Sequence, residues 1–146
     1  MKAKFIYEVM GDVLKGKSEE EIMSSLENTN LDPNKLLLKS SMAGFLPGAK
    51  KALEIGADVN AYNNAALQWA SGNGYLDIVE FLLKNGADVH AKDDLALRYA
   101  SSYGHRDIVE LLLNYGTDVH AKDDLALRVA SHNGHLDVVE LLKKYM

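Results

Sequence analysis

Apolar residues along the chain alternate between two helical patterns. In the first, a leucine and an alanine stand three residues apart, as Leu97 and Ala100 do, and therefore share one face of an α-helix. The second is an i, i+1, i+4, i+5 stripe that ends at a glycine, and one copy consists of Ile108, Val109, Leu112, Leu113 and Gly116. The segment from Thr117 to Asp124 is long enough only for a turn or a tight hairpin. The pattern predicts units of helix–turn–helix–loop.

These units repeat with a period of 30 residues. Two ladders of glycine mark the period: Gly44, Gly74, Gly104 and Gly134, and Gly56, Gly86 and Gly116. We expect the first ladder to end helices with positive φ. The run HAKDDLALR occurs unchanged at 90–98 and 120–128. We predict four tandem units over residues 32–146, bounded at about 32–61, 62–91, 92–121 and 122–146.

A paired amide or acid precedes the first helix of most units, at Asn63-Asn64, Asp93-Asp94 and Asp123-Asp124. Side-chain oxygens of this kind accept hydrogen bonds from the free backbone N–H groups at a helix start. In the first unit Asp32 precedes Pro33, and proline suits the first helical position. We therefore predict a helix N-cap at each of these places.

The two ends of the array differ from its interior. A lone pair of short helices cannot bury its apolar stripe, so the units are predicted to stack. Lys143 takes the place of Leu83 and Leu113, and Lys51 takes the place of Phe81 and its equivalents. An apolar position that becomes lysine in a terminal unit is typical of a face that meets water.

Residues 1–31 do not follow the repeat. One amphipathic helix is predicted there from Phe5, Ile6, Val9, Met10 and Val13. Ser18-Glu19-Glu20-Glu21 forms a capping box, which opens a second helix with Ile22, Met23 and Leu26 on its apolar side. We predict a two-helix N-terminal cap over the first unit. The alternative is a separate pair of partner-binding helices.

The string GYLDIVEFLLKNGADVHA at 74–91 resembles the ankyrin repeat, and 104–121 is nearly the same. The resemblance covers residues 32–146 and implies an all-α ankyrin-type solenoid of four stacked units. The usual unit has about 33 residues and a T-P-L-H start. Here the period is shorter, and AALQ, LALR and LALR stand at 65–68, 95–98 and 125–128. We expect shortened fingers; such units are similar to the ankyrin arrays of large DNA viruses and phages.

The resemblance implies a protein-binding scaffold whose concave surface is built from hairpins and first helices. Positions that vary between units are where such scaffolds place specificity, and here they include Tyr62, Trp69, Asn73, Lys92, Asp93, Tyr99, Tyr103, Lys122, Asp123 and His132. Tyr103 is the strongest candidate, because its counterparts are Asn73 and Asn133 and packing does not demand an aromatic ring there. Trp69, Tyr99 and Val129 are equivalent and always apolar, so they also suit packing between repeats.

Three hypotheses for the function remain open. The first is a monomeric, non-catalytic module that binds another protein, in one version a viral protein that occupies a host factor. The second is a structural or self-associating repeat protein. The third is an acidic surface, including Asp77, Glu80, Glu110 and Glu140, that mimics nucleic acid or docks on a basic partner.

Composition narrows these hypotheses. The chain is 47% hydrophobic and 25% charged, as globular domains are, and its net charge of −5 disfavours a nucleic-acid partner. It contains no cysteine, which excludes disulfides and thiolate metal sites. No apolar run is long enough to span a membrane, and Glu8 and Asp12 interrupt any signal peptide. We expect a cytoplasmic protein.

Catalytic chemistry is not indicated. Ser71, Ser101 and Ser131 are copies of one repeat position, whereas a catalytic residue should be unique. His132 and His135 have metal-ligand spacing, but Gly134 between them is expected to break the helix. The other histidines occupy repeat positions, and no phosphate-binding glycine motif occurs. We predict no metal, no cofactor and no enzymatic activity.

Overall fold

The computed structural model describes residues 18–27 and 30–146 of the chain. All regular secondary structure in these two ranges is helical. The helices are α1 (Glu19–Glu27), α2 (Pro33–Ala43), α3 (Leu46–Glu54), α4 (Ala61–Asn73), α5 (Leu76–Lys84), α6 (Ala91–Ser102), α7 (Arg106–Asn114), α8 (Ala121–His132) and α9 (Leu136–Lys144). The predicted succession of helix pairs is confirmed.

The helices form two layers. The first helices of the units, α2, α4, α6 and α8, pack side by side in chain order, and the second helices, α3, α5, α7 and α9, form a second layer against them. Each unit contacts its neighbours along the stack, as expected for a solenoid. The predicted all-α array of stacked units is therefore confirmed.

The apolar stripes of the two layers meet in one continuous core. Leu97 and Ala100 of the first-helix pattern and Leu112 of the second-helix pattern are all fully buried. The lysine substitution at the last unit also behaves as predicted: Leu113 is 6% exposed, whereas its counterpart Lys143 is exposed. The hydrophobic periodicity thus identifies both the interior of the array and its C-terminal end.

The glycine that ends the first helix has two structural roles in every unit but the last. Gly104 adopts φ +77°, a left-handed conformation that L side chains rarely adopt. In addition, the ring of His135 from the next unit lies over it, and a Cβ on Gly104 would approach His135 Nδ1 to 2.5 Å. His105 lies over Gly74 in the same way. The positive φ was predicted from the sequence, but the close approach of the next unit was not.

Helix α1 packs on α3 of the first unit. The Glu21 amide donates to Ser18 Oγ at 3.2 Å, which confirms the predicted helix start, and Ile22 is only 2% exposed. The helix predicted from Phe5 to Val13 and the side chain of Leu26 lie outside the described residues. The division between a cap at 1–31 and an array at 32–146 stays a prediction.

The N-cap prediction is right for one unit and wrong for the others. Asp32 Oδ1 accepts from the amides of Asn34 and Lys35 at 3.0 and 3.3 Å, with Pro33 at the first helical position. The three later pairs instead lie in left-handed turns at the start of α4, α6 and α8. Asx residues tolerate this conformation, and at Asn64 and Asp94 the second side chain of the pair accepts from the backbone amide of Asp88 or Asp118, just before the next first helix. Its partner lies 24 residues along the chain, so local sequence did not indicate it.

Candidate functional site

Three fingers project between successive units, at residues 57–64, 87–94 and 117–124. Each ends in a turn of three consecutive left-handed residues, such as Lys92, Asp93 and Asp94 with φ of 54°, 56° and 58°. The carbonyls of this turn accept hydrogen bonds from the first helix: Arg98 Nη2 donates to Lys92 O at 2.8 Å and Arg98 Nε to Asp93 O at 3.2 Å. These bonds hold the turn in a conformation that costs backbone energy.

Gln68 has the same role in the preceding unit, where its Nε2 donates to Asn63 O at 2.7 Å. This role of Gln68 and Arg98 was not predicted from the sequence. A signal was present, because the fourth position of AALQ and LALR always carries a long side chain with N–H donors. The finger conformation is thus encoded partly by the helix that follows it.

A ladder of side-chain oxygens links each finger to the next. Asn34 Oδ1 accepts from the Asp58 amide at 2.8 Å, and Asn64 Oδ1 accepts from the Asp88 amide at 2.9 Å. Asp94 Oδ2 accepts from the Asp118 amide at 3.0 Å. Asp94 is 3% exposed, and its other oxygen lies 2.8 Å from His90 Nδ1. The recurrence of Asn or Asp every 30 residues, from 34 to 124, was the signal for this ladder.

Asp94→Ala is expected to lower the free energy of unfolding by about 1–3 kcal/mol, because the Asp118 amide loses its partner. Asp124→Ala is the matched control: Asp124 bonds His120 as Asp94 bonds His90, but its side chain is 40% exposed. Urea melts should show a clearly smaller loss for Asp124→Ala. Equal losses would mean that the bond between Asp94 and the next finger does not stabilise the array.

An ion pair joins two neighbouring fingers at their exposed tips. Lys122 Nζ lies 2.9 Å from Asp93 Oδ2, and both side chains are more than half exposed. The hydrogen bond from Lys122 and its charge lower the pKa of Asp93, and the charge of Arg98 acts in the same direction. Since folding lowers this pKa, the pair stabilises the fold at neutral pH, and its contribution is lost as the pH falls through the folded-state pKa.

Large aromatic side chains are exposed beside the fingers. On the first helices, Trp69 is 46% and Tyr99 39% exposed, and Tyr62 in its finger is 50% exposed. Tyr99 also packs on the preceding unit, because a Cβ on Gly72 would lie 3.4 Å from Tyr99 Cβ. This position therefore contacts a neighbouring unit, as predicted for packing, and still presents an aromatic surface to solvent; its part in binding a partner stays a prediction.

Tyr103 departs from its two counterparts. Asn73 Nδ2 donates to Met42 O at 3.2 Å, and Asn133 Nδ2 donates to Ser102 O at 2.7 Å, so both asparagines bond the preceding unit. Tyr103 is instead 64% exposed and stacks on His105, with ring centroids 6.5 Å apart. The tyrosine thus replaces an inter-unit hydrogen bond with an exposed aromatic ring.

The remaining candidate residues are distributed along the stack. Lys92 and Asp123 are exposed at finger tips, whereas Lys122 and Asp93 are already paired with each other. Asn73 makes an inter-unit contact, and His132 lies at the C-terminal end of the array. We name the surface formed by the fingers and by α4, α6 and α8 the finger face.

The repeat architecture agrees with a comparison against known families. A profile described as ankyrin repeats (three copies) matches residues 13–93 and 92–146. The chain belongs to the ankyrin repeat family. A search of curated proteins finds no match to it. Ankyrin repeats are generally protein–protein interaction modules, and the family is typically non-catalytic.

Two further observations bear on other kinds of site. Within residues 18–27 and 30–146, no group of three or more His, Asp or Glu side chains is placed to hold a metal ion. His135 Nε2 bonds Ser102 O at 3.0 Å, and Gly134 with φ +77° separates it from His132.

Within residues 18–27 and 30–146, no helix has the length and hydropathy that crossing a membrane requires. The cytoplasmic location stays a prediction.

Proposed function

We propose that this ankyrin array binds a partner protein through its finger face, with Tyr103 as a principal contact. The observation that carries the proposal is the loss of the inter-unit hydrogen bond at Tyr103, since the two equivalent asparagines both make it. Tyr103 is 64% exposed, so most of its surface is open to a partner even though its ring stacks on His105. Exposed tyrosine and tryptophan are the side chains that most often carry binding energy in interfaces.

The surroundings of Tyr103 support this proposal. Trp69 and Tyr99 present further aromatic surface on the first helices of units 2 and 3, and Lys92 is an exposed cation at a finger tip. The fingers themselves are fixed by the oxygen ladder, so little entropy is lost when a partner docks on them. The rigid, aromatic and partly cationic surface favours a folded protein or an ordered segment as the partner. The unit length of 30 residues supports a viral or phage array that occupies a host factor.

Tyr103→Asn separates binding from stability. Asparagine at this position can donate to Gly72 O, whose partner among the described residues is His105 Nε2 at 2.9 Å. We expect the free energy of unfolding of the variant to equal that of the unchanged chain or to exceed it by up to about 1.5 kcal/mol, because the variant gains one hydrogen bond. Thermal or urea melts measure this directly.

The same variant should weaken partner binding by at least about 1 kcal/mol. A tagged pull-down from the source cell, repeated with Tyr103→Asn and with Glu80→Ala, tests this. Glu80 is exposed on the second-helix layer, away from the fingers. A partner retained by Glu80→Ala and lost by Tyr103→Asn supports the finger face. The opposite result would favour the acidic second-helix surface, and a chain that captures only copies of itself would favour self-association.

A further inference from the structure

The last unit presents an open end surface that its internal counterparts do not. Leu127, Arg128, Ser131, His132, Val139 and Lys143 line a groove of about 490 Å³ on α8 and α9. We name it the end groove. Leu127 and Val139 form its apolar floor and are only partly buried, whereas their counterparts Leu97 and Val109 are fully buried.

The internal copies of this surface show what shape it accepts. In unit 3 the equivalent residues lie on α6 and α7, and these helices pack against α8 and α9 of the next unit. The same Leu, Ser and Val positions therefore already receive helices along the stack. Leu127, Ser131 and Val139 are the same residue types as at the internal positions, so the floor of the end groove is suited to a helix.

The residues that differ between the last unit and unit 3 determine which charge a docked helix should carry. Lys143 replaces Leu113, and His132 replaces Ser102, while Arg128 is kept from Arg98. Arg98 donates to finger carbonyls, but Arg128 is exposed and has no such bond among the described residues. The rim of the end groove thus carries two permanent cations and a histidine, and none of its six lining residues is acidic.

Among the described residues, neither Arg128 nor Lys143 forms an ion pair with a carboxylate. Asp124 lies one turn before Leu127, but its Oδ1 is 2.6 Å from His120 Nδ1 in the finger. Glu140 is exposed and is not among the residues that line the groove. In a chain with a net charge of −5, an apolar floor with a purely basic rim is a local exception. Complementary charge is what gives such a surface its specificity.

We infer that the end groove docks an amphipathic helix of a partner protein, with leucine-type residues on its inner face and Asp or Glu on its flanks. The end groove shares α8 with the finger face, but Trp69, Tyr99 and Tyr103 are not among its lining residues. Its occupant contacts Leu127 and Val139 through apolar side chains and pairs with Arg128 and Lys143 through carboxylates.

The test uses the full chain and two fluorescein-labelled synthetic peptides. One has leucine at i, i+3, i+4 and i+7 with glutamate and alanine elsewhere, and the other has lysine in place of every glutamate. Anisotropy titrations should show binding of the acidic peptide and at least about tenfold weaker binding of the basic one. Equal affinities, or no binding of either peptide, would overturn the inference.

Charge-reversed variants locate the binding. Lys143→Glu should lower the affinity for the acidic peptide at least about tenfold and raise the affinity for the basic one, because it replaces one cation of the rim with an anion. Lys84→Glu, at the exposed end of α5, is the matched control and should change neither affinity. Circular dichroism melts check that both variants fold. A loss of equal size with Lys84→Glu would mean that only net charge matters.

Two measurements distinguish a partner helix in the end groove from binding at the finger face and from self-association. Tyr103→Asn should leave peptide affinity unchanged, so failure of the finger-face proposal and failure of this one are distinguishable. Light scattering of the purified chain is the second measurement, and a monomer is expected. A dimer that Lys143→Glu converts to a monomer would assign the end groove to a second copy of the chain and overturn the partner-helix inference.

Discussion

Leu112→Ala is expected to lower the free energy of unfolding by about 2–5 kcal/mol. Leu112 is fully buried in α7, which packs against α5 and α9 on its two sides and against α6 within its own unit. Removing the side chain loses apolar burial and leaves a cavity that helices on all these sides keep open. Because stability in a solenoid includes the interfaces between neighbours, both interfaces of unit 3 are weakened. Urea melts of the full chain measure the loss.

Leu142→Ala is the matched variant in the last unit. Leu142 is also fully buried, so the free energy lost on transferring the side chain is the same. Helix α9 has stacked neighbours on one side only, however, and can move inward from solvent to fill part of the cavity. We expect a smaller loss than at Leu112. Equal losses would show that the last unit is held as rigidly as the internal ones.

Gly104→Ala is expected to destabilise the array by about 2–4 kcal/mol, from left-handed backbone strain and from displacement of the next unit. The added Cβ would lie 2.5 Å from His135 Nδ1, so the ring must move. That ring bonds Ser102 O at 3.0 Å, and the bond would be strained or lost. Thermal melts report the combined effect.

Gly134→Ala isolates the part of this loss that is due to backbone strain. Gly134 has the same φ of +77°, but a Cβ there would meet nothing within 4 Å. The variant should therefore lower the free energy of unfolding by only about 1 kcal/mol, the usual cost of placing alanine in this conformation. If Gly134→Ala were as damaging as Gly104→Ala, the histidine ring would have no part in joining the units.

Much of the fold could be predicted from the sequence because the signals are local and repeat in phase. A stripe such as Ile108, Val109 and Leu112 needs only helical periodicity to be recognised, and 30-residue spacing places its copies. The start of α1 at Ser18 and the cap at Asp32 were likewise predicted, since each bonds an amide only two or three residues away. Local geometry determines such contacts.

The finger residues show where this reasoning fails. Asp94 was predicted to cap its own helix, but its carboxylate bonds the Asp118 amide of the next finger. Lys122 was named from the sequence as a candidate partner-binding residue, but it pairs with Asp93 of the neighbouring finger. In both cases the residue was picked out from the sequence, but its partner lies in the neighbouring finger. Only stacking brings that partner within reach.

The sequence by itself determined the helix pairs, the repeat period, the stacking of units and the choice of Tyr103 as a position that packing does not require. The tertiary structure decided which oxygen bonds which amide, that His135 lies over Gly104, and that Leu127 and Val139 remain open at the end of the array. The physical reason is the range of each interaction. Hydrophobic periodicity acts within one helix, whereas the finger ladder and the end groove depend on residues that are distant along the chain and are brought together by the stacking of helices.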